Sequence, residues 1–316
     1  MKQQYLSFQQ PSPIDYLTDY QDNQVHIKRE DLLPFSFGGN KSRKAIYFFQ
    51  EILKDQFDTV VTYGSSQSNH CRVIANMCAK YDLGCWVIAP HTDDTTNFNR
   101  KLVSLSDAKI IECDLSSVSI TIQDTIEKLK QEHHKPYFIP GGGHHHLATK
   151  AYIDAYAEIA VWEDDYHHTF DYIFLASGTG TTQAGLVIGT LLHQRFQTKI
   201  IGISIAREAG YGTQVIRQSI QEYMTEHTLS LPLNWQQHLH FYDHYVNRLY
   251  GETTPEIRQL IHTLYHCHGI AFSSTYTAKA FEGMKQYILK HNLTHQNILF
   301  LHTGAIPLFF NDIEFM

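Results

Sequence analysis

Short runs of β-branched and aromatic residues alternate with helix-length segments along the whole 316-residue chain. Val25–Lys28, Thr59–Tyr63, Cys85–Ala89, Ile110–Cys113, Tyr137–Ile139, Tyr172–Ala176, Ile200–Ser204, Leu239–Tyr242 and Ile298–Leu301 read as strands. They lack polar alternation, so they are expected to be buried on both faces. Between them Ser68–Tyr81, Leu147–Ala160 and Thr181–His193 carry apolar residues at helical spacing. Such alternation predicts an α/β fold of open, mostly parallel twisted sheets flanked by helices. The length suits one large domain or two that share an interface. No internal repeat or low-complexity linker interrupts the pattern, and the flexible Gly141-Gly142-Gly143 is the strongest boundary signal.

Several function classes fall away on charge and composition. With 32 acidic against 25 basic residues, the chain has no basic footprint for nucleic acid. Nineteen Tyr and 18 Phe supply too much apolar surface for a disordered chain. No apolar run reaches bilayer-spanning length, and the opening MKQQYLSFQQPSPIDYL lacks a basic n-region and an apolar h-region. The five cysteines are odd in number and none pairs as CxxC, so neither a disulfide framework nor a cysteine zinc site is expected. A cytoplasmic protein with no membrane partner and no metal fits these features best. The 21 histidines are mostly scattered singly in polar stretches and are read as surface residues without a collective role.

Four segments carry candidate chemistry. In Phe37-Gly38-Gly39-Asn40-Lys41-Ser42-Arg43-Lys44 the glycines permit a tight turn, Asn40 can cap, and Lys41 falls in the first helical turn. The positive end of the helix dipole favours a neutral amine there, the form that attacks carbonyls. Taken alone, this segment reads as a solvated basic face. In Ser177-Gly178-Thr179-Gly180-Thr181-Thr182 a strand passes through small residues into a helix, converging amides, hydroxyls and dipole on a phosphate-sized point. The loop has no lysine and its glycine spacing is wrong for GxGxxG, which leaves a monophosphate site ahead of a bare Gly/Thr turn. Ser68, Asn69 and His70 stand at another helix start, where capping accounts for only one of them. Late in the chain come Tyr250, then Tyr276-Thr277-Ala278-Lys279, then His302-Thr303-Gly304 at the end of the last strand. The tyrosines are equally compatible with a core role, and Thr254-Pro255 reads as a helix cap followed by its first residue. Thr303 ends a buried strand, where open parallel sheets place ligands.

Together and in this order, these segments resemble the fold type II pyridoxal-phosphate (PLP) enzymes. Within them the chain is most similar to the 1-aminocyclopropane-1-carboxylate (ACC) deaminase and D-cysteine desulfhydrase group. The matching stretches are Ile27–Asp31, residues 38–44, Gln67–His70, Ile139–Gly143, residues 177–185, Tyr276–Lys279 and Leu301–Gly304, nearly the whole chain. The lysine of GGNK combined with the Gly/Thr loop is the specific part.

The resemblance implies a tryptophan synthase β-like fold. Its large PLP-binding domain would comprise residues 1–44 and 141–316, its small domain residues 45–140, and PLP would sit in the cleft between them. It further implies that Lys41 carries PLP covalently, that Gly178, Thr179, Gly180, Thr181 and Thr182 bind its phosphate, and that Asn69 bonds its 3′-oxygen. Ser68 matches a serine near the substrate carboxylate and Cα, while Tyr250 and Tyr276 match tyrosines that position or protonate substrate. Ring-opening deaminases are expected to carry glutamate directly after the second tyrosine. Here Thr277 takes that place, with Thr303 a second hydroxyl candidate for the pyridine nitrogen. A neutral hydroxyl gives a weaker electron sink, which favours β-elimination from a small amino acid over ring opening. Lys41 or Ser68 would remove the Cα proton, and a 2-oxo acid and ammonia would be released. Ring opening, dehydration, racemisation and non-catalytic PLP binding are the alternatives, and a homodimer is implied. The chain departs from the group at Ser273-Ser274-Thr275, at Ala278 and at His144-His145-His146. The imidazoles bear on substrate choice rather than on metal binding, since adjacent side chains of an extended segment diverge.

Overall fold

The computed structural model describes residues 11–65, 68–92, 96–205, 207–244 and 253–314. The chain divides into two compact units. The first takes in Pro34–Ser36 and Lys41–His144, where the sequence suggests 45–140; the second takes in Gln10–Leu33, Phe37–Asn40 and the residues from His145 onward. The boundary after His144 directly follows the Gly141–Gly143 turn, whose Gly142 and Gly143 take positive φ of 67° and 71°.

The first unit is built on a parallel four-stranded sheet. Its strands are β3 (Thr59–Tyr63), β4 (Gly84–Pro90), β5 (Lys109–Cys113) and β6 (Pro136–Ile139), in the order β5-β4-β3-β6. Helix α1 (Asn40–Lys54) leads into β3, and α2 (Asn69–Tyr81), α3 (Phe98–Leu105) and α4 (Val118–Gln131) connect the successive strands. Val60 and Val61 of β3 and Ile88 of β4 are fully buried, as are Phe49 and Ile52 of α1 and Val73 of α2. The edge strands depart from burial on both faces: β5 is exposed or half-buried throughout, and Phe138 of β6 is exposed. Having a neighbour on one side only, they are less completely covered than β3 and β4.

The second unit carries a six-stranded sheet, in the order β1-β2-β10-β7-β8-β9. Strands β2 (Asn23–Arg29), β7 (Tyr172–Ser177), β8 (Lys199–Ser204), β9 (Leu239–Tyr242) and β10 (Asn297–His302) are parallel. Strand β1 (Ile14–Tyr20), not expected from the sequence, pairs antiparallel with β2 through the two-residue turn Gln21-Asp22. Both turn residues have positive φ, 51° and 58°, the backbone of a tight hairpin normally signalled by Asn-Gly or Asp-Gly. Asn23 steadies it by donating Nδ2 to the carbonyls of Tyr20 and Gln21. The polar residues of β1 and the lack of glycine in its turn hide the hairpin from pattern reading.

Helices α5 (His146–Tyr166), α6 (Thr181–Leu192), α7 (Ala209–Glu226), α8 (Pro255–His268), α9 (Thr277–Lys290) and α10 (Ile306–Ile313) complete this unit. Thr254 caps α8, its hydroxyl accepting from Ile257 N–H, with Pro255 as the first residue. Phe174, Ile201 and Phe300 of the sheet pack in one core cluster with Phe272, and with Phe281 and Met284 of α9. Helix α6, apolar almost all round, presses against α5 so closely that a Cβ on Gly185 would lie 2.4 Å from the Thr149 carbonyl oxygen. On Gly189 it would lie 2.4 Å from Cβ of Tyr156. This close approach fixes where α6 begins. No helix among the described residues is long and apolar enough to cross a membrane.

Candidate active site

In the second unit the glycine–threonine turn follows β7. Ser177 ends the strand, Gly180 takes φ 93°, and α6 starts at Thr181. Gly180 has no side chain to cap the helix, so the first turn of α6 presents its amides without an N-cap side chain. Gln183 anchors that turn: it accepts from Ser177 Oγ at 2.9 Å, and its Nε2 donates to the His240 carbonyl of β9 at 2.7 Å. An anion is the natural occupant of such a helix end.

The Gly38–Asn40 turn is held in the same unit. Its backbone packs against the end of β10 so tightly that a Cβ on Gly304 would lie 2.5 Å from Cα of Gly39. Asn40 N–H donates to the Thr303 carbonyl at 3.0 Å and Gly39 N–H to that of Glu30 at 2.7 Å. Asn40 is the first residue of α1, and its Nδ2 donates to Thr182 Oγ1 of the glycine–threonine turn at 3.2 Å. Thus the residue joined to Lys41 by a peptide bond is tied to both Thr303 and Thr182. The charged run Lys28–Asp31 proves to be scaffold beneath this turn. Lys28 pairs with Glu158 at 2.7 Å, and buried Glu30 accepts from Ser12 Oγ at 2.6 Å and from the Tyr152 hydroxyl at 2.9 Å.

Thr277 opens α9, fully buried, and accepts the Ser273 N–H on Oγ1 at 2.8 Å, which leaves its hydroxyl proton to donate elsewhere. Tyr276 immediately precedes it, half-buried against the core cluster. Thr303 is buried at the end of β10. Tyr250 lies outside the described residues.

In the first unit Lys41 donates Nζ to the Gly142 carbonyl at 2.7 Å. The residue is half-buried, and burial lowers its pKa to about 8. Loss of hydration is the largest cause. Lys44, in the same helix, is buried and also lowered, first by burial and then by the charge of Lys41. Ser68 caps α2, its Oγ accepting from Cys71 N–H at 3.2 Å. Asn69 begins that helix, buried, with Oδ1 accepting from Asn99 Nδ2 at 3.1 Å and from Arg72 Nη2 at 3.4 Å.

His70 is buried. Its Nε2 lies 2.8 Å from Thr62 Oγ1, and that hydroxyl donates to the Ile139 carbonyl. The Thr62 proton is therefore committed, and His70 must carry its own proton on Nε2. Burial, then the charges of Lys41 and Lys44, hold its pKa well below the usual value. The sequence reading places Lys44 and His70 in candidate segments without giving either a role, and it does not single out Arg72 or Asn99. Arg72 was detectable as the residue one helical turn after Asn69; Asn99 has no local signal.

These groups suit PLP on chemical grounds. The α6 start without a side-chain cap fits a phosphate, the lowered amine of Lys41 fits an aldehyde, and the Thr277 hydroxyl can donate to a ring nitrogen.

Comparisons with known proteins agree. The chain resembles a solved structure described as an ACC deaminase homologue, at 28% identity and TM-score 0.87, covering 98% of this chain and 95% of that one. It shares its fold with a threonine deaminase isoform from Solanum lycopersicum, at 18% identity and TM-score 0.64, covering 93% and 79% of the two chains. A hydrogen sulfide-producing enzyme from Fusobacterium nucleatum matches at 17% identity and TM-score 0.66, covering 95% of each chain. The family model for the pyridoxal-phosphate dependent enzymes matches residues 7–304. That match spans both units, from before β1 to the glycine that closes on Gly39, and by it the chain belongs to the pyridoxal-phosphate dependent enzyme family.

Proposed function

We propose that this chain uses PLP to deaminate a small amino acid by β-elimination, releasing a 2-oxo acid and ammonia. When bound, PLP supplies an electron sink for the pair left at the substrate Cα after proton loss. Lys41 anchors the cofactor and takes the Cα proton. With its pKa near 8 rather than 10.5, about half of the amine is neutral at pH 8, against roughly one part in three hundred for an ordinary lysine. Ser68 is a second group for that proton, and Tyr276 and Tyr250 orient the substrate. The amides and hydroxyls of Gly178, Thr179, Gly180, Thr181 and Thr182 hold the phosphate. Asn69 donates to the ring oxygen, and Thr277, with Thr303 as the other hydroxyl, meets the ring nitrogen.

The observation that carries this reading is the hydroxyl at residue 277. Its oxygen already accepts from Ser273 N–H, so what it has to offer is a neutral O–H donor. Without a carboxylate the ring nitrogen is less firmly protonated, so the sink is weaker and suits expulsion of a good leaving group such as sulfide. The 28% identical ACC deaminase homologue favours a second reading, ring opening. One assay separates the two. The PLP-loaded protein is incubated with D- and L-cysteine, D- and L-serine, threonine and ACC, and 2-oxo acid, ammonia and sulfide are measured. Sulfide and pyruvate from a cysteine support β-elimination; 2-oxobutyrate from ACC with no cysteine turnover overturns it. A homodimer belongs to the same proposal, and a monomeric mass in sedimentation equilibrium would remove it.

A further inference from the structure

The two ends of an asparagine amide have the same shape and opposite chemistry, so its neighbours decide which end faces where. At Asn69 they leave no choice. Arg72, three residues on along the same helix, sets Nη2 3.4 Å from one terminal atom, and a guanidinium nitrogen can only donate. That atom is therefore Oδ1. The Asn99 amide meets the same oxygen at 3.1 Å and must present Nδ2. Asn99 is fixed by the start of α3, where Asn97 Oδ1 accepts its backbone N–H at 2.9 Å. Arg72 is fully buried and its guanidinium also donates to Ser36, through the carbonyl and, at 3.2 Å, through Oγ. Turning the Asn69 amide over would set its NH2 against the Arg72 guanidinium, a donor that cannot reverse.

We infer that Asn99 and Arg72 are positioning residues, which hold the Asn69 amide with its oxygen toward themselves and its NH2 toward the ring oxygen of PLP. The inference rests on the proposed contact between Asn69 and that ring oxygen. Its chemical consequence is a relay. A cationic donor on Oδ1 polarises the amide and strengthens donation by the NH2 at its other end. Neither Arg72 nor Asn99 is asked to touch the cofactor.

The test is a spectrophotometric pH titration of the cofactor's visible band in four PLP-loaded proteins: the natural chain, Asn69→Ala, Asn99→Ala and the double variant. A ring oxygen deprived of its donor holds the chromophore's proton more tightly. Asn69→Ala should therefore raise the apparent pKa of the band by about one unit. Asn99→Ala should raise it by less, in the same direction, and should add nothing once Asn69 is alanine. The α3 cap uses the backbone N–H of residue 99 and survives the substitution; a merely structural effect of losing the Asn99 side chain would act equally in both backgrounds, and that result overturns the inference. So does an Asn99→Ala titration identical to that of the natural chain. If Asn69→Ala itself leaves the band unmoved, the Asn69 contact falls and the relay falls with it, a failure distinct from the others. Should Asn99→Ala not take up PLP, Arg72→Lys, which keeps the charge and loses the planar fork, is titrated and read by the same comparison.

Discussion

A lysine becomes a base near neutral pH where protein replaces the water around its ammonium. Lys41 meets that condition, and a consequence for stability follows in the cofactor-free protein. Its folded pKa is about 8 and the ordinary value 10.5. Between these, the unfolded chain binds a proton that the folded chain has released, so stability rises with pH across that window and the full penalty is felt below it. Replacing Lys41 by Gln should remove this rise and, with it, the part of the Lys44 shift that the Lys41 charge causes, whereas the larger part, from burial of Lys44, remains in both proteins. Denaturant melts at pH 8 and pH 10 check it: equal gains in the two proteins would contradict the buried-amine account. The same variant, loaded with PLP and treated with borohydride, should show no cofactor mass attached, and its turnover should fall by about 10²–10⁴-fold or more. A mass adduct that survives would move the covalent site away from Lys41.

Elements matter here through how closely they approach. Helix α6 can begin directly after the Gly178–Gly180 loop because Gly185 and Gly189 let it lie against α5 with almost no gap. A methyl at Gly185 would meet the Thr149 carbonyl at 2.4 Å and Tyr152 Cβ at 2.5 Å, both on backbone-bound atoms that cannot swing aside. Gly185→Ala should therefore destabilise the fold by about 1–3 kcal/mol and shift the first turn of α6, weakening PLP binding. Urea denaturation and PLP titration read the two effects, and unchanged affinity with lost stability would show that the phosphate turn does not depend on that packing. The turn itself was legible in the sequence, because one strand end, one loop and one helix start are consecutive residues there. So were the Lys41 segment and the Ser68 cap. The hairpin β1–β2 was not, since its turn reaches positive φ with Gln and Asp rather than glycine. Asn99 was not either: it meets Asn69 from 30 positions away on another helix, and only the folded chain brings the two amides together.

For the molecule as a whole, the histidines change their meaning between sequence and fold. Read as a list of 21 scattered residues they look like solvated surface. In the structure His26, His70, His168, His238, His240 and His302 all have lowered pKa values, and burial is the first cause of each. His26 falls to about 4, enclosed by Trp162, Phe170 and His168, whose own charge adds to the effect. Tertiary burial is invisible to composition, which is why pattern reading assigns these rings no common role. Their common sign now predicts acid lability. A histidine lowered in the folded state stays neutral while its unfolded counterpart takes up a proton, so its stability contribution is complete above about pH 6.5 and is lost as pH falls toward the folded value. Each such ring can add up to about 1.4 kcal/mol per pH unit to the slope within its window. Glu163 and Asp312, raised by burial, act the other way, each binding its proton more tightly in the folded chain and so offsetting part of the loss as pH falls toward their ordinary carboxylate range. The cofactor-free protein should therefore lose stability steeply between pH 6.5 and 5, before the carboxylates intervene. Replacing His26 and His168 together by Phe should flatten that limb while leaving stability at pH 8 nearly unchanged. Guanidinium melts at pH 8, 6.5, 5.5 and 5 measure both slopes; a natural protein equally stable at 6.5 and 5 would mean that the buried rings take up protons without unfolding.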